Sequence, residues 1–202
     1  ADSNNVTIEA TNIDLSVRLV IPAKVEESGS VTVPARKFTE YLGTLQGEHC
    51  DVSIDKMQVV VSGDKDHARF VTMPTEDFPQ LPDEESVKSR IVVGTSELTP
   101  VLKQVVFAAA QSEMNPVLSG VLFEPTESGQ LTVVATDTFR LSVRTLGVGS
   151  PVEGSFIVPA AALVELSHYL GDSYFTESAQ GEGVEVALSA QENQVFFRYG
   201  DV

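Results

Sequence analysis

Gly29-Ser30-Val31-Thr32-Val33-Pro34-Ala35 returns 125 positions later as Gly154-Ser155-Phe156-Ile157-Val158-Pro159-Ala160, and this pair decides the fold. At the same spacing, Ala10-Thr11-Asn12 recurs as Ala135-Thr136-Asp137. Between them, Leu15-Ser16-Val17-Arg18 answers Leu141-Ser142-Val143-Arg144, one residue out of step. Solenoids and propellers repeat every 20–50 residues or so. A longer period makes the repeated unit a whole domain, and a chain of 202 residues holds two of roughly 100 residues each.

Outward from the repeat, each Pro-Ala step opens a helix, because a proline in the first turn has no intrahelical partner to lose. Phe38, Tyr41, Leu42 and Leu45 follow Pro34 at helical spacing, up to Gly47. Leu163, Leu166 and Leu170 follow Pro159, and they are the 125-residue images of Phe38, Tyr41 and Leu45. Both copies are therefore expected to bury the same helix face. Upstream, Val6, Ile8 and Ala10 alternate with polar residues, as do Val17, Leu19 and Ile21 up to Pro22. That period of two predicts half-buried strands.

Asn12-Ile13-Asp14 and Glu26-Glu27-Ser28-Gly29 are turns, and Val31 to Val33 predicts a short strand. After each helix two more strands are expected: Val52 to Ile54 with Met57 to Val61, and Val184 to Leu188 with Gln194 to Tyr199.

The second copy has a lead-in, Ile91 to Gln130, that the first lacks. It predicts a helix capped by Ser96, with Glu97 at its positive end and Pro100 in its first turn. Leu98, Val101, Leu102, Val105, Val106 and Ala109 form the apolar stripe, with Lys103 near the other face. The first copy in turn runs on through Phe70 to Leu81, beyond the point where the second stops. The chain is thus expected to be a piece that begins inside one domain and ends short of the next domain's end. The proline-bracketed acidic run from Pro79 to Ser86 marks a linker. The expected fold is α+β: tandem domains with antiparallel sheets on one side and two helices per full domain on the other. Their bounds are residues 1–82, a linker at 83–90, and residues 91–202.

Composition narrows the function. No stretch approaches the roughly 20 apolar residues of a membrane span, and no signal-peptide pattern opens the chain. One cysteine, Cys50, excludes an internal disulfide and fits a reducing cytoplasm. His49 beside it is no base for it, since neighbouring strand residues point to opposite faces. Thirteen basic against 29 acidic residues give a formal charge of −16. Duplex DNA repels such an average charge, although a few cations gathered on one face can still meet phosphates.

Chemistry is what the sequence lacks. It has no Gly-rich phosphate loop, no Cys-x-x-Cys and no His-x-x-x-His. His49, His67 and His168 are scattered, and the carboxylates gather in turns (Glu26, Glu27) and in the linker (Asp83, Glu84, Glu85). No catalytic residue, metal site or cofactor is expected, and the chain does not read as an enzyme.

Gly120-Val121-Leu122-Phe123-Glu124, followed by Ala135-Thr136-Asp137-Thr138-Phe139-Arg140-Leu141-Ser142, resembles the bacterial DNA polymerase III β subunit family, the sliding clamps. In that family a G-x-x-F-E strand precedes an A-T-D-G-H-R-L-A motif. Thr32-Val33-Pro34-Ala35-Arg36-Lys37-Phe38 and Pro74-Thr75-Glu76-Asp77-Phe78-Pro79 are similar to the family's first-domain helix and its exit. The likeness covers the whole chain, in order.

The resemblance implies a cytoplasmic, non-catalytic replication factor. Three such domains per subunit and two subunits head to tail would close a homodimeric ring around duplex DNA, without sequence preference. It also implies a pocket for short linear motifs of the replicative polymerase, the clamp loader and repair polymerases. The domain-two wall of that pocket would be Leu118, Thr136, Thr138, Phe139, Arg140 and Leu141. Here Thr138 replaces the family's glycine and Phe139 its histidine. The DNA-facing residues would be Arg36, Lys37, Lys103, Ser112 and Asn115. The images of Arg36 and Lys37 in copy two are Ala161 and Ala162. Without the resemblance, an acidic β-rich repeat module of a surface or secreted protein is the alternative reading.

Overall fold

A computed structural model describes residues 4–12, 14–47, 49–81, 87–111, 115–148, 154–171, 184–189 and 194–199. The chain divides into two compact units, Ala1–Leu81 and Pro82–Val202. The first holds β1 (Asn5–Thr11), β2 (Ser16–Pro22), α1 (Ala35–Leu42), β3 (Asp51–Asp55), β4 (Gln58–Ser62) and β5 (His67–Val71). The second holds β6 (Val87–Val93), α2 (Thr95–Val105), β7 (Gly120–Pro125), β8 (Gln130–Thr136), β9 (Leu141–Gly147) and β10 (Phe156–Pro159). It continues with α3 (Ala160–Gly171), β11 (Val184–Ser189) and β12 (Gln194–Arg198). Among the described residues the strands form β1-β2 and β3-β4-β5 in the first unit, and β10-β7-β8-β9 and β12-β11-β6 in the second. Every pairing is antiparallel.

The repeat is visible in strand register. Thr11 faces Ser16 across β1 and β2, and Thr136 faces Leu141 across β8 and β9. The two hairpins are therefore in step at 125 residues. The Leu-Ser-Val-Arg echo, one residue out of step, is corrected: Ser16, not Leu15, holds the place of Leu141. A slip of one residue would turn every side chain to the other face, so register outweighs letter identity. Both hairpin turns are tied alike, since Asn12 Oδ1 accepts from the Leu15 N–H at 2.8 Å and Asp137 Oδ1 from the Arg140 N–H at 2.9 Å.

Local chemistry moves several expected boundaries. Helix α1 ends at Leu42 rather than before Gly47, because the Thr44 hydroxyl and N–H both take the Tyr41 carbonyl, at 2.7 and 2.9 Å. Leu45 thus lies beyond the helix, whereas α3 keeps Leu163, Leu166 and Leu170. The short strand expected at Val31 to Val33 is a single bridge, Thr32 to Met73, reinforced by the Thr32 hydroxyl on the Met73 carbonyl. Gly94, not Ser96, occupies the N-cap of α2, its carbonyl accepting from Glu97 and Leu98 at 3.0 and 2.9 Å. Pro100 accordingly falls inside the helix instead of in its first turn.

The expected linker at 83–90 is corrected in its second half. Residues 87–90 belong to β6, which pairs with β11 from Val87↔Ser189 to Val93↔Val184. Arg90 and Glu185 add an ion pair across the two strands at 2.6 Å. This strand was not expected, because a run of mixed polar and apolar residues next to an acidic stretch has no partner in the sequence itself.

One core serves the second unit. Leu98, Leu102 and Val105 of α2, Val121 and Phe123 of β7, Leu131 and Val133 of β8, Leu146, Leu163 and Val186 pack in one cluster. The helices α2 and α3 touch each other, and α2 also lies against β8 and β9. In the first unit, Phe38 and Tyr41 of α1 pack on the Phe70 ring, with centroids 5.4 and 5.7 Å apart. Val59 and Val61 of β4 are buried there. Val52 and Ile54 of β3 are their cross-strand neighbours on the same face, yet both are at least half exposed.

Candidate peptide-docking and DNA-facing sites

The four residues between β8 and β9 form a turn in which every backbone N–H has a partner, that of Asp137 reaching the Arg140 carbonyl at 3.4 Å. Thr136 Oγ1 donates to the Arg140 carbonyl at 2.8 Å and accepts from the Thr138 N–H at 3.2 Å. Asp137 Oδ1 accepts from the N–H groups of Phe139 and Arg140 at 3.0 and 2.9 Å. Asp137 Oδ2 accepts from Arg140 Nε at 2.9 Å. The Arg140 N–H, then the Phe139 N–H and the Arg140 charge, hold the Asp137 carboxyl below its usual range against the opposing effect of desolvation.

Thr138 sits at φ +78°, a left-handed conformation that a β-branched residue adopts only under constraint. The turn thereby carries Phe139 outward, 96% exposed, next to Leu141 at 66%.

Two contacts tie this turn to the end of α2. The Arg140 guanidinium lies 5.4 Å from the centroid of the Phe107 ring, within cation–π range. Ser142 Oγ donates to the Gln104 carbonyl at 2.6 Å. Leu118, half-buried, is fixed to the same stretch, because its carbonyl accepts from the Ala110 N–H at 2.8 Å. Thr136, Thr138, Phe139, Arg140 and Leu141 thus form one turn, and Leu118 anchors to the segment against which that turn is tied.

Sequence reading missed Phe107 and Asp137. Phe107 lies off the apolar stripe of α2 in a 3-10 turn and is 59% exposed, so periodicity gave it no role. The matching of Asn12 to Asp137 in the repeat was the available signal for Asp137.

The DNA-facing candidates are less alike than their sequence suggests. Arg36 is paired with Glu40 one helical turn on, Nε to Oε1 at 3.0 Å, whereas Lys37 is exposed and makes no ion pair among the described residues. Lys103 is exposed on α2 and shares a shallow concavity with Ser167, His168 and Gly171 of α3. Asn115 holds its own turn: its carbonyl accepts from Leu118 and Ser119, and Oδ1 accepts from the Val117 N–H at 3.2 Å. Ser112 lies outside the described residues. Among the described residues no group of three or more His, Cys, Asp or Glu side chains could hold a metal ion, and no helix is long and apolar enough to cross a membrane.

Tandem domains of this α+β type are found in solved sliding clamps. A clamp of Caulobacter crescentus superimposes with a TM-score of 0.86 at 27% identity, covering 100% of this chain and 53% of that one. A Bartonella birtlesii clamp bound to griselimycin superimposes with a TM-score of 0.87 at 26% identity, with the same coverage. The model of the DNA polymerase III beta subunit central domain matches residues 92–202, and that of its N-terminal domain matches residues 1–82. The chain belongs to the DNA polymerase III beta subunit family.

Among named relatives, the beta sliding clamp of Chlamydia muridarum is 32% identical over 168 residues, 81% of this chain and 45% of the relative. That of Staphylococcus epidermidis (strain RP62A) is 28% identical over 212 residues, 100% of this chain and 53% of the relative. The chain therefore spans about half the length of the relatives it matches. Family membership displaces the surface-module alternative.

Proposed function

We propose that this chain is the part of a sliding clamp that carries half of a peptide-docking pocket and a stretch of DNA-facing surface. It acts as a processivity factor: closed into a head-to-tail homodimeric ring around duplex DNA, it tethers the replicative polymerase and performs no chemistry. The observation that carries the reading is the β8–β9 turn. Its backbone is held by Thr136 and Asp137 so that Phe139 and Leu141 face solvent, while Leu118 is anchored alongside.

Polymerase, clamp loader and repair polymerases would dock there through short linear motifs. Among the described DNA-facing candidates, Lys37 and Lys103 make no ion pair and would meet phosphates, with Arg36 already engaged by Glu40. Binding is to phosphates and so without sequence preference, and the site of action is the cytoplasm. Enclosure, rather than charge, keeps an acidic protein on DNA.

The test is primer extension on a long single-stranded circle by the cognate polymerase and loader with the complete subunit. Long products that revert to short ones with Leu118→Ala/Leu141→Ala are expected. Products of unchanged length with and without the subunit would remove the clamp reading.

A further inference from the structure

We infer that the outward face of the sheet β10-β7-β8-β9 is a docking surface for a basic amphipathic helix of a partner protein. This face lies outside the β8–β9 turn, and its role does not depend on the reading of that turn. Its basis is an apolar row that crosses all four strands. Ile157 of β10 faces Leu122 of β7, Leu122 faces Val134 of β8, and Val134 faces Val143 of β9.

The neighbours of these residues along each strand, among them Phe123, Val133 and Val158, belong to the buried core. Successive strand residues point to opposite faces, so the row stands on the side away from that core. Ile157 is 42% exposed and Val143 49%, with Leu122 and Val134 half-buried between them. Ile157 is seated against Gly120, where an added Cβ would strike its side chain, and the end of the row is thereby held in place.

The repeat shows that this face need not be apolar. Glu9 and Arg18 are the 125-residue images of Val134 and Val143, and they face each other in the same register. In the first unit they form an ion pair at 2.8 Å. A solvated sheet face is ordinarily polar, as it is there. Two valines in the same places leave apolar surface in water, and contact with a partner would remove it.

Spacing and charge select the occupant. Strands lie about 4.8 Å apart, so the row spans roughly 14 Å. An extended segment laid along it would offer a side chain only every roughly 7 Å. Helix positions three and four apart place theirs about 5–6 Å apart, close to the spacing of the row. Among the described residues, the outward positions of the four strands hold no cation and one carboxylate, Glu124, which makes no ion pair. Arg140, in the neighbouring turn, is engaged by Asp137 at 2.9 Å. On a chain of formal charge −16, this face complements a helix whose apolar stripe is flanked by Lys or Arg.

The experiment is fluorescence anisotropy of the complete subunit with three synthetic peptides of about 18 residues, long enough to form helix in water. One carries a leucine stripe flanked by lysines, and one the same stripe flanked by glutamates. The third has the leucines and lysines of the first in scrambled order. The wild type is expected to bind the striped lysine peptide about tenfold more tightly than either other, the order set by burying a pair of branched side chains.

Val134→Glu/Val143→Arg, which writes the ion pair of the first unit into the second, should bring that peptide down to the level of the scrambled one. The melting temperature should stay within a few degrees, since Glu9 and Arg18 hold the same pair in the same register. Glu124→Lys, which leaves the row intact, should weaken the striped lysine peptide several-fold.

Unchanged affinity for that peptide in either variant would overturn the inference. Equal binding of the scrambled peptide would overturn it too, by reducing the contact to charge alone. Tighter binding of the glutamate peptide would overturn the assignment of a basic partner. Binding of no peptide would also overturn the inference, and self-association lost in the double variant would then give the face to a second copy.

Discussion

Asp137 and Thr138 show at the scale of single residues how one turn carries both stability and presentation. The folded Asp137 carboxyl titrates below the ordinary aspartate range, chiefly through the Arg140 N–H. A carboxyl with a depressed folded pKa stabilises the fold above its unfolded pKa, and that contribution is lost as pH falls through the folded value. Asp137→Asn should therefore melt below the wild type at neutral pH, and the gap should narrow when both are melted near roughly pH 2. A gap independent of pH would deny the carboxylate its role.

Thr138 holds a φ of +78°, which for an L-residue costs roughly 1–2 kcal/mol, and glycine relieves it at some entropic expense. Thr138→Gly should stabilise the second unit by about 1 kcal/mol or less, read as a higher midpoint in urea. Asp137 was legible from the repeat, being the image of Asn12. The strain at Thr138 was legible only as a departure from the family's glycine, because φ is a property of the folded turn.

At the scale of elements, the pairing of β7 with β10 depends on one missing side chain. Gly120 lies opposite Pro159 at the end of the ladder, and a Cβ built there collides with the Ile157 side chain. The Pro116 and Val158 carbonyls are each 3.3 Å from that Cβ position. Gly120→Ala should therefore destabilise the second unit by about 1–3 kcal/mol, the range for overpacking a tight site. Thermal melting checks it, and an unchanged melting temperature would mean that β10 shifts freely.

The helices were the most legible elements, since the stripe of α2 and the leucines of α3 give their faces away by spacing alone. Their ends were less so: Gly43 with Thr44 stopped α1 early, and Gly94 displaced Ser96 as the cap. Strand β6 escaped notice because its pairing partner β11 lies almost a hundred residues away.

At the scale of the molecule, the two units are unequal. Among the described residues the first buries only Val59 and Val61 completely enough to count as core, while the second buries a continuous cluster from α2, α3 and both its sheets. Local opening is easiest where few apolar contacts resist it. Amide exchange should accordingly be faster in β3 to β5 than in β7 and β8, and equal protection in the two units would contradict the difference in burial.

The sequence by itself determined the duplication, the helix faces and the α+β class, because each is written in spacing along one chain. Tertiary structure alone decided the 125-residue register of the hairpins, the extra strand β6, and the joining of Phe107 to Arg140. Those rest on which distant backbone edges and side chains meet, and no local pattern of residues encodes a partner so far away.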